Sequence, residues 1–254
     1  SLDQVSPNLI SDYKSLRLKD GMAPQTVLHE MNCLSHAFNL AMKEWGWVIH
    51  NPCMNVKKPK VNNQILRWLS QDEEEALLPA SQSYLHGQLP EIITVALHTG
   101  MRQGEILTLR WKNIDLFRKT ITVMQGKTNE PKTIPMSETL FTLLTSKSKI
   151  VNMSGYVFHT GNGTRISGPN LQREFWKVLE KAKIESFRFH DLRHTFATRL
   201  IQNGVDLYSV SKLLGHRDVK MTQRYAHHHT ESLRQCITVL DNCIVQNKQR
   251  ELKR

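Results

Sequence analysis

The stretch RFHDLRHTFATRL, residues 188–200, places two histidines four residues apart, with an aspartate and an arginine between them. Histidines at this spacing share one face of a helix, where both can bind Zn²⁺. An arginine in the same box suits a phosphate oxyanion, because its planar guanidinium donates paired hydrogen bonds. HDLRH therefore admits two classes of site: a zinc hydrolase built on His190 and His194, or a phosphate site built on Arg193.

The zinc interpretation needs a general base and a third ligand. In the HExxH pattern a glutamate follows the first histidine, whereas Asp191, one methylene shorter, stands here. The third ligand would be His216 or a histidine of the run at 227–229. Arg193 would lie within one turn of the metal, with no adjacent glutamate to neutralise it. A third interpretation makes the box polar surface at a helix start, where Asp191 faces the helix dipole.

The charge of the chain favours a polyanionic partner. The chain has 34 Lys+Arg and 23 Asp+Glu, which gives a formal net charge of +11. Nucleic acid is therefore the first candidate partner, and an anionic membrane is the second. No stretch approaches the roughly 18 apolar residues of a membrane span, and no signal-peptide pattern is present. We therefore expect a cytoplasmic protein. The four cysteines form no CxxC pair, so neither a disulfide framework nor a cysteine zinc site is indicated.

Apolar periodicity predicts a helical N-terminal domain over residues 1–62. Spacings of three and four predict one apolar stripe on a long helix, formed by Val27, Met31, Leu34, Phe38, Ala41 and Trp45. A shorter helix around residues 10–18 precedes it. The stretch NPCMNVKKPKVNNQ, residues 51–64, has two prolines and no periodicity, which is typical of a connecting segment. We place the linker at 63–67 and a second domain at 68–254.

The second domain mixes helices with one hairpin. KTITVMQGKTNEPKTIPM, residues 119–136, alternates apolar and polar residues on both sides of a polar tip, which predicts strand, turn, strand. SQDE at 70–73 is a capping box, and EIITVALHTG at 91–100 predicts a helix ended by glycine. Further helices are expected at 137–147, 169–183, 189–203, 206–214 and 218–227, and in a tail from 230. The predicted fold class is mainly α with a small antiparallel β-sheet (α+β).

Four further motifs accompany HDLRH in a defined order. They are TGMRQGEIL at 99–107, GKTNEPKTIP at 126–135, LLGH at 213–216, and a tyrosine nine residues after the LLGH histidine. In this order, and over most of residues 68–230, the chain resembles the tyrosine recombinases, or phage-type integrases. The resemblance implies an enzyme that cleaves and rejoins DNA through a 3′-phosphotyrosyl intermediate and a Holliday junction.

The resemblance also implies roles for individual residues. The catalytic set would be Arg102, Lys127, His190, Arg193, His216 and the nucleophile Tyr225, with Glu105 and His194 as supporting groups. Lys132 lies on the same hairpin as Lys127, and either lysine is a candidate for the general acid. Tyr208 is a competing tyrosine, but its place inside VDLYSVSKLL predicts packing rather than chemistry.

Elementary chemistry is consistent with these roles. Attack on a phosphodiester gathers negative charge on the non-bridging oxygens, and two guanidiniums stabilise that charge better than two ammonium groups would. A tyrosine with a pKa near 10 is only about one part in a thousand phenolate at pH 7, a deficit of about 4 kcal/mol. Neighbouring cations and a nearby base can recover part of that deficit. No metal or other cofactor is expected.

Residues 1–60 resemble the helical core-binding domain of the same family, with its upstream helix and an arm-binding domain missing. By that resemblance Lys57, Lys58 and Lys60 would lie along the DNA backbone. The expected partner is duplex DNA with a specific site, bound by a tetramer, while the free protein can be a monomer. The tail from 230 would dock on a neighbouring subunit or on its own domain. The rival functions are a catalytically silent DNA-binding protein, a zinc hydrolase and a topoisomerase.

Overall fold

The computed structural model of the chain describes residues 2–61, 67–124, 131–148, 155–216 and 218–228. Two compact units make up the chain, Ser1–Ile65 and Leu66–Arg254. The predicted linker at 63–67 lies almost entirely outside the described residues. The assignment of the two units to DNA binding and to catalysis remains a prediction. Within the described residues, no helix has the length and apolar character needed to cross a bilayer.

The N-terminal unit is built on α1 (Pro7–Lys19) and α2 (Pro24–Lys43). The predicted stripe on α2 supplies the core, with Val27, Met31, Phe38 and Ala41 buried. Leu34 packs partly buried against the same cluster. The prediction for Trp45 was wrong: its side chain is 48% exposed. The helix ends before it, because the chain turns at Gly46, which has a positive φ of 65°.

The larger unit holds seven helices among its described residues, together with one small sheet. Their bounds are α3 Gln71–Ser81, α4 Leu89–Thr99, α5 Gln103–Leu107, α6 Glu138–Ser148, α7 Gly168–Lys181, α8 Asp191–Gln202 and α9 Leu207–Leu214. Ser70 and Glu73 form the predicted capping box at the start of α3, with both reciprocal hydrogen bonds present. The predicted class, mainly helical with a small antiparallel sheet, is confirmed.

The sheet is the predicted hairpin with one added strand. Strand β2 (Thr120–Met124) pairs antiparallel with β3 (Pro131–Pro135), and Ile121 lies opposite Ile134 with both side chains buried. A two-residue strand, β1 (Ile114–Asp115), pairs with the other edge of β2. It was not predicted, because two residues are too few to show alternation.

The last part of the prediction needs correction. Residues 218–227 do not form an α-helix; the chain makes two 3₁₀ segments instead, Val219–Met221 and Gln223–His228. Asp218 caps the first of them by accepting from the backbone N–H of Lys220. Such a local side-chain bond favours a turn over a continuing helix. The predicted tail helix from 230 lies outside the described residues.

Helix α4 is buried along most of its length and packs against α8. It ends at Gly100, whose φ of 60° and ψ of 18° are left-handed. A Cβ at this position would lie 2.4 Å from Cδ1 of Phe196 and 2.9 Å from Cδ2 of Leu214. Gly100 therefore serves both the turn and the close approach of α4 to α8 and α9.

We expect Gly100→Ala to destabilise the larger unit by about 2–4 kcal/mol, because strain in the left-handed region and overpacking against Phe196 add together. Urea unfolding measures the change. Gly155→Ala is the matched control, since Gly155 also has a positive φ but, among the described residues, no atom lies within 4 Å of the Cβ that an alanine would carry there. It should cost only the backbone strain, about 1–2 kcal/mol. Equal losses in the two variants would contradict the packing argument.

Candidate functional site

Arg193 ties the HDLRH box to two other segments of the chain. Its side chain is buried, with only 4% of the residue exposed. Nη1 donates to the carbonyl oxygen of Gly100 at 2.6 Å, and Nη2 donates to that of Leu214 at 2.8 Å. The first carbonyl belongs to the TGMRQGEIL motif and the second to LLGH. One guanidinium therefore joins three of the motifs, and a group with five N–H donors has capacity for a further acceptor.

Arg102 is the N-cap residue of α5, and Glu105 accepts two hydrogen bonds from it. Glu105 accepts from Arg102 Nη1 through Oε1 and from the Arg102 backbone N–H through Oε2, both at 2.9 Å. The Arg102 side chain is 44% exposed, whereas that of Glu105 is 10% exposed. Burial, and then the charge of Arg102, lower the pKa of Arg193 to about 10. Two guanidiniums that repel each other in this way form a site suited to an anion.

Tyr225 is the second residue that meets the HDLRH box. It is 2% exposed and packs with Phe196 and Leu214 in a small apolar cluster. Its hydroxyl lies 2.6 Å from Nδ1 of His194. Burial raises the pKa of Tyr225, although the positive charges of Arg193 and Arg224 act in the opposite direction. In this arrangement the tyrosine is a neutral, hydrogen-bonded phenol.

The two histidines of the box are arranged in a row with the tyrosine: Tyr225 contacts His194, and His194 contacts His190. The ring of His190 meets that of His194 edge to face, with centroids 5.0 Å apart. His194 is buried, and burial followed by the charge of His190 lowers its pKa to about 4. Part of His190 reaches solvent, yet loss of hydration and the nearby Arg193 still lower its pKa. The neighbour of Tyr225 is therefore the predicted supporting histidine, His194, rather than His190.

His216 follows the left-handed Gly215 that ends α9. Its Nδ1 lies 2.8 Å from the hydroxyl of Thr222, and its backbone N–H donates to the carbonyl of Ser211. Burial, then Arg193 and Arg102, lower its pKa to about 4. Thr222 did not figure among the predicted site residues. A threonine six residues after a histidine carries no recognisable pattern, so only the fold identifies it.

We expect the larger unit to lose stability as the pH falls from about 6.5 to about 4. The pKa values of His194 and His216 are about 4 in the folded chain, against an ordinary value of 6.5. Between those limits the unfolded chain binds more protons, so protonation favours unfolding. The stability that the neutral histidines contribute is fully present above pH 6.5, their ordinary pKa, and is lost as the pH falls toward about 4, their pKa in the folded chain.

Urea unfolding across this pH window measures the effect. His216→Asn should weaken the dependence on pH, because one of the two buried imidazoles is removed. His86→Asn is the control, since the His86 side chain is exposed and its left-handed backbone accepts asparagine. A free energy of unfolding that does not change between about pH 6.5 and about pH 4.5 would contradict the expectation.

Of the two candidate lysines of the hairpin, the structure describes only Lys132. Lys127 lies outside the described residues. Lys132 is buried on β3, with 6% of the residue exposed, and its Nζ lies 3.8 Å from Oε2 of Glu105. Burial, and then the competing charges of Glu105 and the two arginines of the site, leave its pKa lowered to about 8.

The other predicted residues belong to the N-terminal unit, to α9 or to the histidine run at 227–229. Lys57 and Lys60 are exposed in the N-terminal unit, and Lys58 donates to Oδ1 of Asn32 at 2.8 Å. The prediction that Tyr208 is packed was wrong: it is 60% exposed, on the solvent side of α9, with the ammonium of Lys212 over its ring. The histidine side chains at 227–229 lie outside the described residues.

The geometry gives little support to a zinc centre. Among the residues that the structure describes, no three His, Cys, Asp or Glu side chains converge as metal ligands do. The rings of His190 and His194 are perpendicular, and Nδ1 of His194 is engaged by Tyr225. The cluster instead has the donor set of a site for an anionic oxygen.

Comparison with known proteins places these residues in a wider context. The model of the phage integrase family matches residues 67–232. The chain is 32% identical over 239 residues to the shufflon-specific DNA recombinase of Escherichia coli, covering 89% of this chain and 59% of that protein. It is 28% identical over 236 residues to the integrase of Escherichia phage P2, covering 93% and 65%. The chain thus spans about three fifths of the length of these relatives.

Solved structures give the same fold. The integrase of the Tn1549 transposon, in complex with transposon right end DNA, superposes with a TM-score of 0.77 over 95% of this chain and 87% of that one. The two sequences are 21% identical, so this similarity speaks for the fold alone.

Proposed function

The chain belongs to the phage integrase family, and we propose that it is a site-specific DNA recombinase that cuts and rejoins strands through Tyr225. In this proposal residues 68–254 form the catalytic domain, and residues 1–62 form a core-binding domain that grips the DNA. Lys57, Lys58 and Lys60 contribute backbone contacts there. Such contacts add affinity that depends on salt and not on base sequence.

One observation carries the proposal: two consecutive residues of α8 hold three distant segments together. Arg193 bonds to the carbonyls of Gly100 and Leu214, and His194 bonds to the hydroxyl of Tyr225. A phenol next to the guanidinium of Arg193, which in turn lies near that of Arg102, suits attack on a phosphodiester. A protein that only bound DNA would need basic surface, but no tyrosine at this place.

The covalent step conserves the energy of the phosphodiester. The phenolic oxygen of Tyr225 attacks the phosphorus, a new tyrosyl–phosphate bond forms, and the bond to the 5′ oxygen breaks. The products are a 3′-phosphotyrosyl enzyme and a free 5′ hydroxyl. A 5′ hydroxyl from a partner strand reverses the step, so that the energy of an ATP molecule is not required. The proton for the leaving oxygen comes, in this proposal, from Lys127.

The phenolic proton needs an acceptor at the moment of attack. Tyr225 has a raised pKa, so the free phenolate is disfavoured. His194, whose low pKa keeps it neutral, offers a ring nitrogen 2.6 Å from the hydroxyl. The ring of His190 lies edge to face with that of His194, and in this proposal His190 passes the proton on to solvent. The positive charges of Arg193 and Arg224 lower the cost of forming the anion.

His216 completes the phosphate site as a neutral donor. Its low pKa leaves one proton on the ring at neutral pH. When the hydroxyl of Thr222 donates to Nδ1, that proton lies on Nε2, from which it can reach a phosphate oxygen. Arg102 and Arg193 supply positive charge, and His216 orients the phosphate by donating a hydrogen bond to one of its oxygens. A metal ion is not part of this mechanism.

The working assembly in this proposal is a tetramer on two specific duplex sites. Each duplex is cut one strand at a time, and the strands exchange through a Holliday junction. The tail from 230 docks on a neighbouring subunit, or else folds onto its own domain. In this proposal the free protein can be a monomer, and the DNA-bound protein associates with the nucleoid, without a membrane partner.

The decisive experiment is covalent capture on DNA. Duplexes that the protein binds are first selected from a random pool, then remade with a nick beside each candidate phosphate and incubated in EDTA. We expect a covalent protein–DNA band on a denaturing gel. Specific binding without a band would favour the silent DNA-binding protein, and activity lost to EDTA would favour a zinc enzyme. Relaxation of supercoils without strand exchange would point to a topoisomerase.

A further inference from the structure

Lys132 is a buried ammonium group whose burial needs an explanation. It lies on β3 opposite Val123, on the face that also buries Ile134. Its Nζ is inaccessible and makes no hydrogen bond within the described part of the chain. Burying an ammonium group without such bonds is unfavourable. A methionine would fill the same space without that cost, so packing alone does not account for a lysine.

The charge that Lys132 faces is Glu105, at 3.8 Å. Both oxygens of this carboxylate already hold Arg102, one through the guanidinium and one through the backbone. The carboxylate therefore fixes Arg102, but it also puts a negative charge next to a site meant for an anion. That negative charge cancels part of the positive field of Arg102 and so weakens the binding of a phosphate.

Lys132 is also close enough to the other site residues for its charge to act on them. Its pKa is lowered by Arg193 and Arg102, in addition to burial, and Lys132 in turn lowers the pKa of His216. With a pKa of about 8, most of the ammonium remains protonated at neutral pH. Lys132 thus shares this part of the site with the carboxylate of Glu105 and the guanidiniums of Arg102 and Arg193.

We propose that Lys132 is a positioning residue: its ammonium offsets the charge of Glu105, so that Glu105 can hold Arg102 without weakening the positive field offered to a phosphate. The inference rests on the proposed function and deepens it, since it gives the second hairpin lysine a task separate from proton donation. A lysine that acted directly on the phosphate would work whether or not Glu105 were charged. A lysine that only supported the fold would leave phosphate binding unchanged.

The experiment is a double-variant cycle on the full chain. Lys132→Met and Glu105→Gln are made singly and together. Lys132→Gln is added as a second neutral substitution, so that an effect of poor packing by methionine can be recognised. Lys119→Met is the control, because Lys119 belongs to the same sheet region but pairs with Glu138 at the surface. Melting temperatures establish that each variant is folded.

Two readouts are taken from each variant. The first is the dissociation constant of inorganic phosphate, followed through the NMR signals of the arginine Nε–H groups. The second is the single-turnover rate of covalent capture at saturating protein, together with the dissociation constant of the duplex. The phosphate readout does not require cleavage, so it tests Lys132 even if the wild-type chain forms no covalent band and the proposed function fails.

We expect Lys132→Met to weaken phosphate binding roughly tenfold and to slow capture by a similar factor, with duplex affinity within about twofold of wild type. In the Glu105→Gln background the same change should cost less than about threefold. Lys119→Met should match the wild type. An equal cost in both backgrounds would overturn the proposal in favour of direct contact, and no cost in either would show that Lys132 is structural.

Discussion

Tyr225→Phe is expected to abolish covalent capture of DNA while the protein remains folded and binds its duplex. The substitution removes a single oxygen, which in the proposed mechanism forms the bond to phosphorus, and phenylalanine has no nucleophilic atom to replace it. The phenyl ring still fills the apolar cluster with Phe196 and Leu214. The expected loss is therefore complete within detection, with an affinity for duplex DNA close to that of the wild type.

Capture on the nicked duplex in EDTA measures this result, and Tyr208→Phe is the matched control. Tyr208 lies in the same domain but is 60% exposed on α9, so its hydroxyl should be dispensable. A covalent band that persists in Tyr225→Phe would identify a different nucleophile. A band lost in Tyr208→Phe instead would move the assignment to that tyrosine.

The same variant has a smaller effect on stability. Removing the hydroxyl leaves Nδ1 of the buried His194 without its 2.6 Å partner. An unpaired buried acceptor of this kind costs about 1–3 kcal/mol. The melting temperature should therefore fall by roughly 2–12 °C, and a larger fall would mean that Tyr225 stabilises the structure more than this hydrogen bond accounts for.

Arg193→Lys should lower the rate of covalent capture by about 10²–10³-fold, the loss typical of removing one donor to a developing oxyanion. Lysine retains the positive charge, but it cannot donate to Gly100 and Leu214 at once and still face a phosphate. Arg193→Ala would also leave a cavity and two unpaired carbonyls, so it would mix folding with catalysis. The lysine variant separates the two.

The single-turnover rate at saturating protein is the measurement, with unfolding curves recorded alongside it. Arg199→Lys is the control on the same helix, because Arg199 pairs with Glu74 and is 36% exposed in its side chain. It should leave the rate within about twofold of wild type. A rate in Arg193→Lys that equals that of the control would show that the geometry of the fork is unimportant and that charge alone suffices.

Local signals predicted most of the elements. The capping box at Ser70, the glycine stop at Gly100 and the alternation of the hairpin each appear in the structure where the sequence predicts them. These features depend on residues a few positions apart, so they can be recognised without the fold. Two of the errors concern burial: Trp45 lies beyond the end of α2, and Tyr208 lies on the solvent side of α9.

The sequence by itself determined the family and the identities of the candidate residues, because the order and spacing of the motifs survive in one dimension. The tertiary structure decided which of those residues meet. Arg193 reaches carbonyls 93 and 21 residues away, and His194 reaches a tyrosine 31 residues away. No local pattern encodes such separations. The pairing of Tyr225 with His194 and the burial of Lys132 beside Glu105 follow from how α4, α8, α9 and the hairpin pack together, and only that packing brings their charges close enough to act on one another.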